Sequence, residues 1–268
     1  MKLGTGIARL VVYSAVLACS APLLSLVVMA FSLQWPFPQL LPSGLSFHHL
    51  AALMWNNPLL TEAVINSLLI ALFTTILTLL LVFPAAKAVG VYHFRGKEAI
   101  KLLALMPLMV PTATITMGLH FAMIKTGLAG SILGVVLVHT VFTVPYAFRV
   151  LTHVFELVGE RHEEQASMLG ADWSLILSSV TLPLVMPGVL SAAIMSFIVS
   201  FSQYITTFMI GGGRIVTIPM ILVPHVQGGE LHVASIYSLV FIFTTLAALT
   251  LMQHFVRRFY KETYFLNP

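Results

Sequence analysis

The sequence predicts an all-α integral membrane protein of six transmembrane helices, and three observations carry the prediction. Of its 268 residues, 59% are hydrophobic and only 8% charged, where a soluble domain carries about 25% charged residues. The apolar residues gather into runs long enough to cross a hydrocarbon core about 30 Å thick, which takes roughly 20 residues per helix. The basic residues fall in the polar breaks between runs, and mostly on one side.

Apolar periodicity places the spans near 8–32, 63–89, 100–124, 131–152, 184–210 and 233–256. The first reads as an uncleaved span, because its apolar stretch continues past Cys19 to Leu33, beyond the roughly 7–15 residues of a signal h-region. Cys19 is the single cysteine, so neither a disulfide framework nor a cysteine-based metal cluster is expected. With a cytoplasmic N-terminus, Lys2, Arg9, Lys87, Arg95, Lys97, Lys101, Arg149, Arg161, Arg257, Arg258 and Lys261 lie inside, and only Lys125 and Arg214 lie outside. That asymmetry sets the orientation, and six spans then place both termini in the cytoplasm. The outer loop 33–61 has no Lys or Arg but holds Trp35 and Trp55, suited to a membrane interface. The length leaves no room for a large soluble domain, so residues 1–268 are expected to form a single transmembrane domain.

The inner segment from about 153 to 183 differs from the rest. It holds Glu156, Glu160, Glu163, Glu164 and Asp172, five of the nine acids. A short amphipathic helix is expected from Arg161 to Leu169, with Ala166 and Leu169 on one side. Gly170 supplies the stop, since glycine tolerates the left-handed backbone that a helix end needs. A second short helix follows from Asp172, an N-cap, to Ser179. Pro183 and Pro187 bracket the start of the fifth span. An acidic, partly apolar helix-turn-helix suits insertion into a groove on another protein; a loop lying on headgroups is usually rich in Lys and Arg instead.

Polar groups at membrane depth are costly and usually face a bundle interior or a water path. Asn66, His120, His139 and Gln203 are the candidates, each with the plainer reading of a hydrogen bond to a neighbouring helix. The Gly211-Gly212-Gly213 run is expected to form an outer turn, followed by a short outer segment from Thr217 to Val226. The closest approach to a phosphate-cradling G-x-x-x-x-G-K-[ST] loop runs from Gly90 to Gly96-Lys97 and has one residue too many, with Glu98 where the hydroxyl belongs. No HExxH, GxSxG or ordered cysteine-histidine spacing supports an enzyme or metal site. Thirteen methionines need no metal, since Met packs well against irregular neighbours.

Glu164-Gln165-Ala166, three residues, Gly170, nine residues, then Val180-Thr181-Leu182-Pro183 resembles the EAA loop of type I ATP-binding-cassette importer permeases. It departs from that pattern at one position, Gln165. Asn66-Ser67-Leu68, Pro84-Ala85-Ala86, Pro107, Pro111, Gly118 and Pro145-Tyr146 resemble the same family, over a core of about 60–255. The resemblance implies a permease fold with a cytoplasmic coupling helix at about 153–183. Glu163, Glu164, Ala166, Gly170, Ala171, Leu182 and Pro183 would be its ATPase-coupling residues. It also implies a homodimeric ATPase that binds ATP and Mg, a second, different permease subunit, a periplasmic solute-binding protein and a bacterial inner-membrane location. This chain would need no cofactor, bind no nucleic acid and catalyse nothing covalent.

The stretch SFSQYITTFMIGGG resembles spermidine/putrescine-type permeases, which makes Ser200, Gln203, Tyr204 and Thr207, with Asn66, the expected translocation path. The solute would be polyamine-like, with thiamine, ferric ion or an aminophosphonate as alternatives. The stretch holds no carboxylate, so compensation for a cationic solute would have to come from a partner. Two readings from other classes remain at this stage: a secondary transporter, which should show repeats and an intramembrane acid, and a scaffold that only docks.

Overall fold

The structure, a computed structural model, describes residues 2–32, 42, 44 and 57–264. The expected outer loop with Trp35 and Trp55 lies outside the described residues. Among the described residues eleven α-helices follow one another: α1 Lys2–Phe31, α2 Pro58–Val91, α3 Lys97–Leu105, α4 Thr112–Lys125, α5 Ile132–Val158, α6 Arg161–Met168, α7 Trp173–Ile176, α8 Leu182–Phe201, α9 Ile205–Gly211, α10 Ile218–Gln227 and α11 Leu231–Tyr264. Among the described residues five stretches are long and apolar enough to cross a membrane, and six if the bent pair α3–α4 is one span.

Two expected spans are not single straight helices. The third, expected at 100–124, is broken: α3 runs into a 3₁₀ turn at Met106–Leu108, and α4 leaves at 99° to it. Pro111 is the cause, because it has no N–H to donate and disfavours helix at Val110. Its own ψ of 132° is extended. The fifth, expected at 184–210, ends at Phe201, and α9 starts anew after Ser202–Tyr204. At its other end the span begins earlier than expected, running from Trp173 to Phe201 through a π-helical turn at Leu177–Thr181. Pro183 cannot donate to the Ser179 carbonyl, and the backbone accommodates this by widening: the Leu182 amide bonds to the Leu177 carbonyl, five residues back.

The described residues group into two compact units, one of residues 1–61 and 221–244 and one of residues 62–220 and 245–268. In the second, α2, α5 and α8 enclose a core of Val82, Ala86, Val89, Ala147, Phe148, Leu151, Phe155, Val185 and Ala192. Ile70, Val135, Val138, Phe142, Ile210 and Ile215 form a further cluster among α2, α5 and the α9 region. Close approach is what small residues supply between membrane helices. A Cβ on Gly188 would stand 2.7 Å from Cγ2 of Val154, and one on Gly90 would stand 2.9 Å from the Thr152 carbonyl oxygen. Val154 is β-branched and stiff at χ1, so Gly188→Ala is expected to cost about 1–3 kcal/mol by overpacking. Adding Val154→Ala should recover most of it in thermal unfolding of the solubilised protein. Equal stability of Gly188→Ala and wild type would contradict this packing.

In the first unit, Asn57 caps α2 by accepting from the Leu60 amide at 3.2 Å and donates to the Tyr237 hydroxyl at 3.2 Å. The glycine turn behaves as its composition requires: Gly212 and Gly213 have φ of 57° and 75°. The segment after it is the helix α10, ten residues long and too short to span.

Candidate functional site

Two places concentrate the residues singled out by sequence. The first is the hairpin 159–183. Gly159 and Gly170 both take positive φ, 63° and 86°, and so delimit α6. Asp172 caps α7 by accepting from the Ser174 amide and hydroxyl at 3.3 and 2.8 Å. The bond from the Ser174 hydroxyl is the main reason its carboxyl is held below the usual range.

The two adjacent glutamates have different surroundings. Glu163 turns inward: its carboxylate accepts from Lys87 Nζ of α2 at 2.8 Å and from the Thr181 hydroxyl of the π turn. Both charged side chains are largely shielded, at 15% and 21% exposure. Glu164 is exposed, and so are Met168, Leu169 and Trp173. The hairpin therefore presents an acidic and apolar outer face while Glu163 braces it from behind. Beside it lies a groove of about 480 Å³ lined by Glu160, Glu163, Glu164, Met168 and Tyr92 among others. Ala166 and Ala171 are half-buried, Leu182 is half-buried and Pro183 is buried at the start of α8.

The second place is the break between α8 and α9. His139 on α5 is 1% exposed. Its Nδ1 lies 2.9 Å from the Ser200 hydroxyl of α8 and its Nε2 lies 3.1 Å from the Thr207 hydroxyl of α9. Thr207 donates to the Gln203 carbonyl at 2.9 Å. That leaves its oxygen to accept from Nε2–H and leaves Nδ1 to accept from Ser200, a tautomer assigned from the network. The Thr206 hydroxyl donates to Gln203 Oε1 at 3.1 Å. Gln203 and Tyr204 occupy the break itself and are half-buried. Asn66 stands apart from this group and donates to the Val216 carbonyl at 3.0 Å. His120 is half-buried on α4.

The sequence reading missed Lys87 and Thr181 as partners of Glu163, and it missed the joint role of His139, Ser200 and Thr207. Lys87 carried one usable signal, a lone cation at the end of an apolar run. Among the described residues no group of three or more His, Cys, Asp or Glu is placed to hold a metal ion.

The family model described as binding-protein-dependent transport system inner membrane component matches residues 83–262. The chain is 26% identical over 205 residues to the spermidine/putrescine transport system permease protein PotC of Haemophilus influenzae, covering 76% of this chain and 80% of that one. It is 30% identical over 165 residues to the trehalose transport system permease protein SugB of Mycobacterium tuberculosis, covering 62% and 60%. A molybdenum transport system permease protein, ModB of Mycobacterium tuberculosis, is 29% identical over 170 residues, covering 59% and 64%. A chain from the crystal structure of a bacterial ABC transporter involved in import of the acidic polysaccharide alginate superposes with a TM-score of 0.70 at 16% identity, covering 98% of this chain and 97% of that one.

Proposed function

This chain belongs to the binding-protein-dependent transport system inner membrane component family, and from that premise we propose that the braced hairpin 159–183 is where a separate ATPase docks. The chain is an inner-membrane permease subunit of a type I ATP-binding-cassette importer and not an enzyme. Its family implies ATPase and solute-binding-protein partners.

The observation that carries the docking reading is the opposed orientation of Glu163 and Glu164. One carboxylate ties the hairpin to α2 and the π turn, while the other stands on an exposed face with Met168, Leu169 and Trp173. An apolar helix face with acidic flanks suits a groove on a partner. Gly170, at a φ of 86°, sets the turn between α6 and α7, the Ala171 amide closes it on the Ala166 carbonyl at 3.1 Å, and Leu182 and Pro183 follow at the start of α8. Closure of a homodimeric ATPase would then move the hairpin and, through Glu163, the inner ends of α2 and α8. Residues 1–268 act in this reading as one permease domain with both termini cytoplasmic, paired with a second, different permease subunit. The path runs beside the break at Gln203 and Tyr204, with Ser200 and Thr207 fixing its geometry through His139 and with Asn66 further along.

The solute we favour is polyamine-like, supported by the breadth of the likeness to PotC. The residues at the break are neutral hydrogen-bonding groups, so the charge on an amine would be met by the partner permease. Expression with the neighbouring transport genes in a strain lacking polyamine uptake tests the solute: labelled putrescine or spermidine should enter, and its exclusion alongside entry of another solute overturns this assignment alone.

Docking is tested by pull-down from solubilised membranes, comparing the native chain with Glu164→Arg and Gly170→Pro and identifying partners by mass spectrometry. An ATP-binding-cassette ATPase should accompany the native chain and fall at least about tenfold with each variant, as loss of a central charged contact or of the hairpin geometry requires. Equal recovery with all three chains would mean that the ATPase docks elsewhere.

A further inference from the structure

A groove of about 570 Å³ lies between α3 and α5, lined by Lys101, Leu105, Phe148, Arg149, Thr152 and His153 among others. It belongs neither to the hairpin nor to the break. Its charges are unevenly matched. Lys101 Nζ is shared between Glu156 at 3.3 Å and Glu98 at 3.4 Å, and His153 Nδ1 is 4.0 Å from Glu156. Glu156 is thus already engaged, and Arg149 makes no ion pair or hydrogen bond among the described residues. Thr152 is 6% exposed and its hydroxyl also has no partner among them.

Depth identifies what an unmatched arginine meets here. Arg149 lies seventeen residues along α5 from Ile132, about 26 Å at a rise of about 1.5 Å per residue. That is close to the full thickness of a hydrocarbon core of about 30 Å, so a span that enters the core at Ile132 brings the exposed Arg149 to headgroup level. Leu105 and Phe148 present apolar groups in the same groove. A guanidinium at that level next to an apolar wall matches one ligand, a phosphate ester carrying acyl chains.

We propose that the α3–α5 groove is a binding site for the headgroup phosphate of an anionic phospholipid, in the leaflet that the orientation above makes cytoplasmic. Arg149 takes the phosphate in a bidentate grip and Leu105 with Phe148 contacts the first acyl carbons, while Lys101 stays paired with Glu98 and Glu156. The site does not depend on which solute is carried or on where an ATPase docks.

Native mass spectrometry of the full chain, delipidated and then titrated with phosphatidylglycerol, phosphatidylcholine or inorganic phosphate, tests it. Wild type should retain one phosphatidylglycerol in preference to phosphatidylcholine. Arg149→Gln should weaken that binding about five- to tenfold, the contribution of one basic residue at an anionic surface. Arg149→Lys should keep most of it, and the exposed loop variant Arg95→Gln should leave it unchanged. Equal retention of the two lipids, or full retention by Arg149→Gln, overturns the site; so does displacement by inorganic phosphate, which would mark a soluble-anion site. If Arg149→Gln does not fold, the wild-type comparison of the three probes decides alone.

Discussion

Glu163→Ala is expected to uncouple the transporter, leaving ATP hydrolysis by the assembled complex largely intact while uptake falls by about tenfold or more. Glu163 ties α6 to the end of α2 through Lys87 at 2.8 Å and to the π turn through the Thr181 hydroxyl. Alanine leaves a shielded ammonium without its carboxylate and leaves the buried Thr181 hydroxyl only the longer bond to the Ile176 carbonyl at 3.4 Å. Removing one partner of a shielded charge pair costs more than the pair contributes, because the remaining charge keeps its desolvation penalty. Lys87 is 15% exposed and can turn partly to water, so the cost to stability is about 2–4 kcal/mol. Glu163→Gln keeps acceptors for both donors but not the charge, and should fall between. The check has two readouts, thermal unfolding of the solubilised chain and uptake relative to ATPase rate in reconstituted vesicles. If uptake per ATP hydrolysed is unchanged in Glu163→Ala, the brace does not transmit motion. The charge-swapped pair Lys87→Glu with Glu163→Lys should recover part of the coupling, since it restores opposite charges at the same separation.

What was legible in the sequence follows from the range of the forces involved. The spans could be read because hydrophobicity needs only a local window, and the fold expected from them agrees with the solved importer permease. Gly170 and Asp172 could be read because a left-handed stop and an N-cap are chemistry within two residues. Pro111 carried a visible signal for the break in the third span, yet the apolar run continues across it. At Ser202–Tyr204 there is neither proline nor glycine, and the break is held by His139, Ser200 and Thr207, residues more than sixty positions apart on α5 and α8–α9. Lys87 and Glu163 are likewise 76 residues apart. Such pairs are made by packing α2 and α5 against their neighbours, and no local pattern reports them. The candidate site was therefore legible as a set of residue types, whereas the different surroundings of Glu163 and Glu164 came from tertiary structure.

His139→Leu is expected to lower stability by about 2–4 kcal/mol and to loosen the break at which Gln203 and Tyr204 sit. Leucine matches histidine roughly in size but not in hydrogen bonding. Ser200, 3% exposed, loses its acceptor, and Thr207, 0% exposed, loses a donor while keeping the Gln203 carbonyl. Each buried polar group left without a partner costs about 1–3 kcal/mol, and a membrane interior supplies no water to replace it. The imidazole is well suited to this place because its two nitrogens point in opposite directions, one to α8 and one to α9, and so span the break from outside. His139→Gln offers a donor and an acceptor from one amide end and should recover about half of the loss. Gln203 is held through Thr207 and Thr206, so the functional effect should appear as a reduced maximal uptake rate with ATPase recovery in pull-down unchanged. Wild-type stability in His139→Leu would mean that the Ser200 hydroxyl finds another acceptor and that the break keeps its geometry without the imidazole. Reduced stability with an unchanged uptake rate would make His139 a packing element and place the path away from the break.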